Sequence, residues 1–215
     1  MVKYFTQEEL AVHNTPEDCW VSIFDKVYDL SALIMENRGP LCTPLVEAGG
    51  SSISHWFNEK TGDLKTYIDP VRNIEMYYTP CGRFLHVPPP NPVDKTEIVA
   101  LPWWKDLSYV IGQVTKKTMK IRITNMLTHG EDIINICHEE TVAQVRNRYM
   151  EYNLNSNSYT WKALINGEFV PLKLDKTLEE NGILDETENF VRYGMDEDFA
   201  IPNLHIYYND DLHHA

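Results

Sequence analysis

The chain has no apolar run approaching the roughly 20 residues that a membrane helix needs, and Met1-Val2-Lys3-Tyr4 opens into folded-looking sequence rather than a signal peptide. No membrane partner is expected. It is short of cations: 19 Lys and Arg stand against 32 Asp and Glu, a formal net charge of -13. Nucleic acid and anionic membranes call for a basic face, so neither is expected as a partner. The four cysteines, Cys19, Cys42, Cys81 and Cys137, form no CxxC pair. That spacing favours reduced thiols in a reducing compartment over disulfides or zinc. Also missing are a nucleophile elbow, a Walker loop, HExxH and a dinucleotide-binding glycine motif. With the carboxylates dispersed, no general acid and base pair stands out, so no enzyme is read here.

What is present suits two packed domains: 215 residues, 43% of them hydrophobic. Lys3-Tyr4-Phe5 reads as a short strand. Thr6 with Glu9 three residues on forms a capping box for a helix from Gln7 to His13. Cys19 to Phe24 and Val27 to Leu30 have strand composition around an Asp25-Lys26 turn, and Ser31 is placed to cap a helix through Met35. Leu41 to Ala48 is helix-like, with Pro44 in its first turn and Gly49-Gly50 as its stop. Glu75 to Tyr78 and Arg83 to Val87 look extended, and Pro88-Pro89-Pro90-Asn91-Pro92 reads as a stiff polyproline II spacer.

Asp18 to Ile23, Lys26 to Ser31 and Ala48-Gly49-Gly50 together resemble the cytochrome b5 family, in which two short helix pairs hold a haem between two axial histidines. Aligned on Ala48-Gly49-Gly50, the first axial histidine of that family falls on Asn37, and its His-Pro-Gly-Gly tetrapeptide becomes Asn37-Arg38-Gly39-Pro40. The second falls near Lys60 and Thr61. An amide is no substitute for imidazole as a strong iron ligand. If the resemblance extends to haem, His55 and His86 are the candidate ligands. Read as structural residues, His55 sits beside Trp56 and His86 pins the linker. Met76, Tyr67, Tyr77 and Tyr78 are weaker alternative ligands.

Beyond the proline run, Trp103-Trp104 are too large to leave in water without reason and read as an anchor that fastens the linker onto a domain or a partner, with partner binding as the expected role. Met119 to Met126 alternates with period two, and Ile133 to Cys137 returns. Thr141 opens an amphipathic helix through Val142, Val145, Tyr149 and Tyr152. Tyr159 to Ile165, Asn166-Gly167 and Phe169 to Leu172 make a hairpin, and a glycine-closed turn at Gly182 precedes a last strand, Leu204 to Tyr208. That order resembles the β-grasp of ubiquitin-like domains, without a terminal Gly-Gly for conjugation. The expected fold class is therefore α+β: a cytochrome b5-like domain over residues 1–87, a proline-rich linker over 88–117 and a ubiquitin-like β-grasp domain over 118–215. This combination is similar to a family of two-domain proteins associated with motile cilia. The resemblance implies a structural, non-catalytic component of the axonemal radial spokes, acting in control of beating in the cytoplasm and cytoskeleton of the cilium. It also implies other radial spoke proteins as partners, in a hetero-assembly rather than a homo-oligomer, and a haem-linked redox role as the alternative.

Overall fold

The computed structural model describes residues 2–89 and 101–208. The chain divides into two compact units, Met1–Val114 and Thr115–Ala215.

In the first unit β1 (Tyr4–Phe5) leads into α1 (Gln7–Val12) through the expected capping box. The Glu9 N–H donates to Thr6 Oγ1 at 3.1 Å, and the Thr6 N–H donates to the Glu9 carboxylate at 2.7 Å, so two donors that a helix start leaves open are both satisfied. β2 (Asn14–Thr15), β3 (Asp18–Ile23) and β4 (Lys26–Asp29) follow. The β3–β4 turn is Phe24-Asp25, one residue earlier than expected, because Lys26 already pairs with Ile23 and Phe24 takes the left-handed bend at φ 54°. Ser31 does not cap α2 (Ser31–Glu36): Leu30 holds that position, and the Ser31 hydroxyl instead donates to Asp29 and accepts the Cys19 N–H at 3.0 Å. α3 (Thr43–Glu47) has Pro44 in its first turn, as expected. After it the chain reverses at Gly50, whose φ of +73° favours glycine and whose missing Cβ would lie 2.8 Å from the Ala11 carbonyl oxygen.

β5 (Thr66–Ile68) and β6 (Glu75–Tyr77) form a separate two-stranded sheet. Arg83 to Val87 are not a strand but a turn, with His86 at φ 68°. The main sheet is completed by β7 (Val110–Val114), in the order β1-β7-β4-β3-β2, parallel to β1 and antiparallel to β4. This corrects the linker expected over 88–117. β7 is hydrogen-bonded on both sides by strands from the start of the chain, so the first unit extends to Val114 rather than ending at residue 87. Most of the expected proline spacer, from Pro90 on, lies outside the described residues.

The second unit contains β8 (Thr118–Asn125), β9 (Glu131–Cys137), α4 (Val142–Arg148), β10 (Tyr159–Ile165), β11 (Glu168–Pro171), α5 (Thr187–Arg192) and β12 (Asn203–Tyr208). Its sheet runs β11-β10-β12-β8-β9, parallel only between β12 and β8. Met119, Ile121 and Ile123 alternate inward and meet Val142 and Val145 of α4. Asn166 (φ 52°) and Gly167 (φ 88°) make the two-residue hairpin turn with both central residues left-handed, the geometry that matches strand twist. α4 stops at Arg148, so Tyr149 is carried by a following single turn; it remains buried, and its hydroxyl donates to Asp132 at 2.7 Å. No sequence signal had marked α5.

Candidate functional site

The resemblance to haem-holding frames directs attention to the space bounded by α2, α3 and the turn Ser54–Trp56. Side chains fill it. Leu33, Ile34, Leu45 and Ile53 form its aliphatic wall; Trp56, Phe57, Phe84, Trp103 and Trp104 form its interior, and all are buried. Ring centroids lie 5.2 Å apart for Trp56 and Phe84, 5.6 Å for Trp103 and Trp104, and 6.0 Å for Phe57 and Trp104. These are the spacings of rings in direct edge or tilted contact.

Trp103 and Trp104 are therefore core residues: they fasten the segment onto a domain, the first unit, and the expected partner-binding role at an exposed surface is overturned. Trp103 has 0% of its surface exposed. A single turn, Trp103–Lys105, presents both indoles to the interior and is fastened at three points. The Trp103 N–H donates to His86 Nδ1 at 3.0 Å, the buried Tyr28 hydroxyl donates to the Trp104 carbonyl at 3.2 Å, and Lys105 pairs with Asp63 at 2.7 Å on the surface. Burial holds the Tyr28 phenol above its usual value, which keeps it a donor. The indole N–H groups of Trp56, Trp103 and Trp104 are buried and have no acceptor among the described residues.

The candidate ligands occupy different settings. Asn37, at the aligned position of the first axial histidine, is exposed and its side-chain amide donates to the Leu33 carbonyl at 2.9 Å, finishing α2. His55 is exposed, with its ring edge-on to Trp56 and neither nitrogen hydrogen-bonded among the described residues. His86 is half-buried, and its Nδ1 is taken by Trp103; the proton then sits on Nε2. Burial pushes its pKa below the ordinary imidazole value of 6.5, consistent with a neutral acceptor. Met76 is half-buried and Tyr67, Tyr77 and Tyr78 are exposed, on or just beyond the β5–β6 hairpin. A porphyrin clasped between two imidazoles needs a flat slot between them, and interlocked rings fill this interior. The residues present do not fit such a site. Beside α2 and α3 there is also a shallow groove of ≈ 390 Å³ lined by Ile34, Met35, Arg38, Cys42, Val46 and Glu47, with no imidazole on it. Among the described residues no group of three or more His, Cys, Asp or Glu is placed to hold a metal ion. The Cys19 thiol, buried and near Asp29 and Asp18, is pushed up to about 11, and burial also raises that of Cys42, so neither is a ready nucleophile.

Phe57 and Phe84 were not singled out as site residues. A Phe84 four residues before the proline run gives no local sign that it meets Trp103 and Trp104 across that run; only the tryptophan pair marked the segment as needing burial.

Fold and site thus define a cytochrome b5-like domain with an aromatic interior, joined to a second α/β unit. The cytochrome b5-like heme/steroid binding domain family matches residues 6–72. Cytochrome b5 domain-containing protein 1 of Xenopus laevis is 46% identical over 98% of this chain and 96% of its own length. The Homo sapiens protein of the same name is 44% identical over 98% of this chain and 91% of its own length. The chain belongs to the cytochrome b5 domain-containing protein 1 family. Among solved structures, cytochrome b558 of Ectothiorhodospira vacuolata matches at 20% identity with a TM-score of 0.28, covering 53% of this chain and 99% of its own, an overlap too low to carry an argument. Among the described residues no helix is long and apolar enough to cross a membrane.

Proposed function

We propose that this protein is a structural, non-catalytic member of a large hetero-assembly, the radial spokes of the motile-cilium axoneme, acting in control of ciliary beating. The observation that carries the reading is the aromatic interior of the first unit: Phe84, Trp103 and Trp104 pack with Trp56 and Phe57, and Asn37 stands at the aligned axial position, which leaves shape and surface as what the domain offers. The β5–β6 hairpin supports it. Tyr67, Ile68, Ile74 and Tyr77 are exposed, and Val71 at its tip is 89% exposed. A two-stranded sheet in water is marginal alone, and apolar groups gathered on it mark a docking surface. The strand order of the second unit, counted within that unit as 4-3-5-1-2, supports reading it as a ubiquitin-like β-grasp docking module in the same cytoplasmic assembly. The test is fractionation of ciliated cells expressing the tagged chain. It is expected to stay with the detergent-extracted axoneme, and to leave it in cells lacking radial spokes. Complete release with the detergent-soluble proteins would sink the proposal.

A second reading, a haem-linked redox sensor with unconventional ligation, is favoured by His55, an exposed imidazole beside Trp56 with neither nitrogen engaged among the described residues. It predicts a Soret band after haem addition that disappears in His55→Ala. A spectrum without that band, oxidised and reduced, removes it.

A further inference from the structure

The sheet of the second unit buries one face under α4; on its other face, strands β10, β11 and β12 carry a patch unlike an ordinary solvated face. Leu164 and Phe169 are directly opposite one another and are 56% and 45% exposed. Phe169 packs edge-on against His205 with centroids 4.8 Å apart and lies 6.3 Å from Tyr207. Lys162, opposite His205, lays its ammonium over the Tyr207 ring at 4.6 Å. Sheets with one wet face ordinarily show a polar surface there, so an exposed aliphatic and aromatic cluster spanning three strands calls for a cover.

The charge of the patch gives the chemistry of that cover. The chain is strongly acidic, at -13. Yet the outward positions of these three strands, Thr160, Lys162, Leu164, Phe169, Pro171, Asn203, His205 and Tyr207, include no carboxylate. Lys120 and Arg122 on β8 extend the basic side, but both are answered within the unit: Lys120 by Asp198 at 2.6 Å, Arg122 by Glu131 at 3.8 Å. Lys162 has no carboxylate partner among the described residues. We infer that this patch docks an acidic segment of a different protein, one that sets a Leu- or Phe-type side chain between Leu164 and Phe169 and a carboxylate against Lys162. Occupancy by a second copy of the chain is the alternative that sedimentation tests. The inference rests on the reading of the chain as an assembly member and names the chemistry of one neighbour.

The experiment uses the full-length chain and two fluorescein-labelled peptides, one alternating Asp and Glu with Leu and Phe, the other keeping the apolar residues and replacing every acid by Lys. Anisotropy is expected to show salt-sensitive binding of the acidic peptide alone, with amide shifts confined to β10, β11 and β12. Lys162→Glu is expected to weaken it roughly tenfold or more, through charge reversal at the contact. Phe169→Ser removes the apolar half, while Tyr67→Ser on the distant-in-sequence hairpin leaves binding unchanged. Equal binding of both peptides, binding of neither, shifts elsewhere, or indifference to Lys162→Glu would each overturn the assignment, as would sedimentation showing self-association lost with Phe169→Ser. If the peptide fails while the chain still fractionates with the axoneme, the surface is wrong and the assembly reading stands; loss of axonemal fractionation with peptide binding intact has the opposite meaning.

Discussion

In the first unit the largest buried side chains include Trp56, Phe57, Phe84 and Trp103, drawn from three separate stretches of chain, whereas the core of the second is mainly Ile, Val and Leu from β8, β9, α4, β10 and β12 around Trp161. Their polar groups differ as well. Three indole N–H groups in the first core have no acceptor among the described residues. In the second, Trp161 Nε1 donates to the Ser156 carbonyl at 3.3 Å, Tyr149 donates to Asp132, and buried Glu140 is held by Arg148 at 2.8 Å and by the Cys137 N–H at 2.9 Å. Its buried nitrogens without a hydrogen bond among the described residues, on Arg122, Arg146 and His205, belong to half-buried side chains outside that core. The comparison separates two quantities that usually rise together, buried area and hydrogen-bond satisfaction. The first unit gains large aromatic contact area at the cost of unsatisfied donors, each worth about 1–3 kcal/mol; the second buries smaller groups and pairs the polar ones.

The strongest way to break the comparison is to empty each core. Trp103→Ala is expected to destabilise the first unit by about 3–5 kcal/mol and Trp161→Ala the second by a similar amount. Denaturant unfolding followed through amide signals assigned to each unit should show one transition move in each variant; movement of both by either variant would mean that the cores are not separate. Next comes Arg148→Met, which strands the Glu140 carboxylate at 5% exposure and is expected to cost the second unit about 3 kcal/mol, measured in the same way. Gly112→Ala tests whether β7 belongs to the first unit. A Cβ there runs into the Lys3 carbonyl oxygen and the Phe5 ring, so the β1–β7 pairing should loosen, with a loss of about 1–3 kcal/mol and faster amide exchange at Gln113. A finer probe compares two matched substitutions. Trp161→Phe removes a made hydrogen bond and Trp103→Phe an unmade one, so beyond the shared loss of size the former should cost about 1 kcal/mol more; the reverse order would show that the Trp103 donor is satisfied in solution. The smallest effect expected is from pH. Burial lowers the folded-state pKa of His86 below 6.5, so its neutral ring contributes stability that is complete above that value and is lost as the pH falls below it towards the folded pKa. Acid should therefore loosen the Trp103 turn first, and His86→Ala should remove that part of the first unit's pH dependence.

Much of this was legible from local pattern. The Thr6–Glu9 capping box, the Gly50 reversal, the period-two run of β8 and the Asn166-Gly167 turn are each decided by a few neighbouring residues, and the structure has them where sequence reading puts them. The Ser31 cap was misjudged because a tertiary partner, the Cys19 N–H, takes its hydroxyl, and Arg83 to Val87 turn rather than extend at His86, whose ring accepts the Trp103 N–H from beyond the proline run. The site was less legible than the fold. That Asn37 cannot ligate iron strongly is visible in one letter; that Trp103 and Trp104 lie inside the first unit is not, because the same letters suit an exposed anchor.

By itself the sequence determined most of the elements, though not β7 or α5, together with the acidic character, the absence of a histidine at the aligned axial position and the residues that must be buried somewhere. Only the tertiary structure decided where. β7 and the tryptophan turn find their partners in β1, β4, Tyr28 and Phe57, far back along the chain, and such contacts are chosen by which unfilled volume and unpaired strand edge remain once the rest has folded, a choice that no local window of residues records.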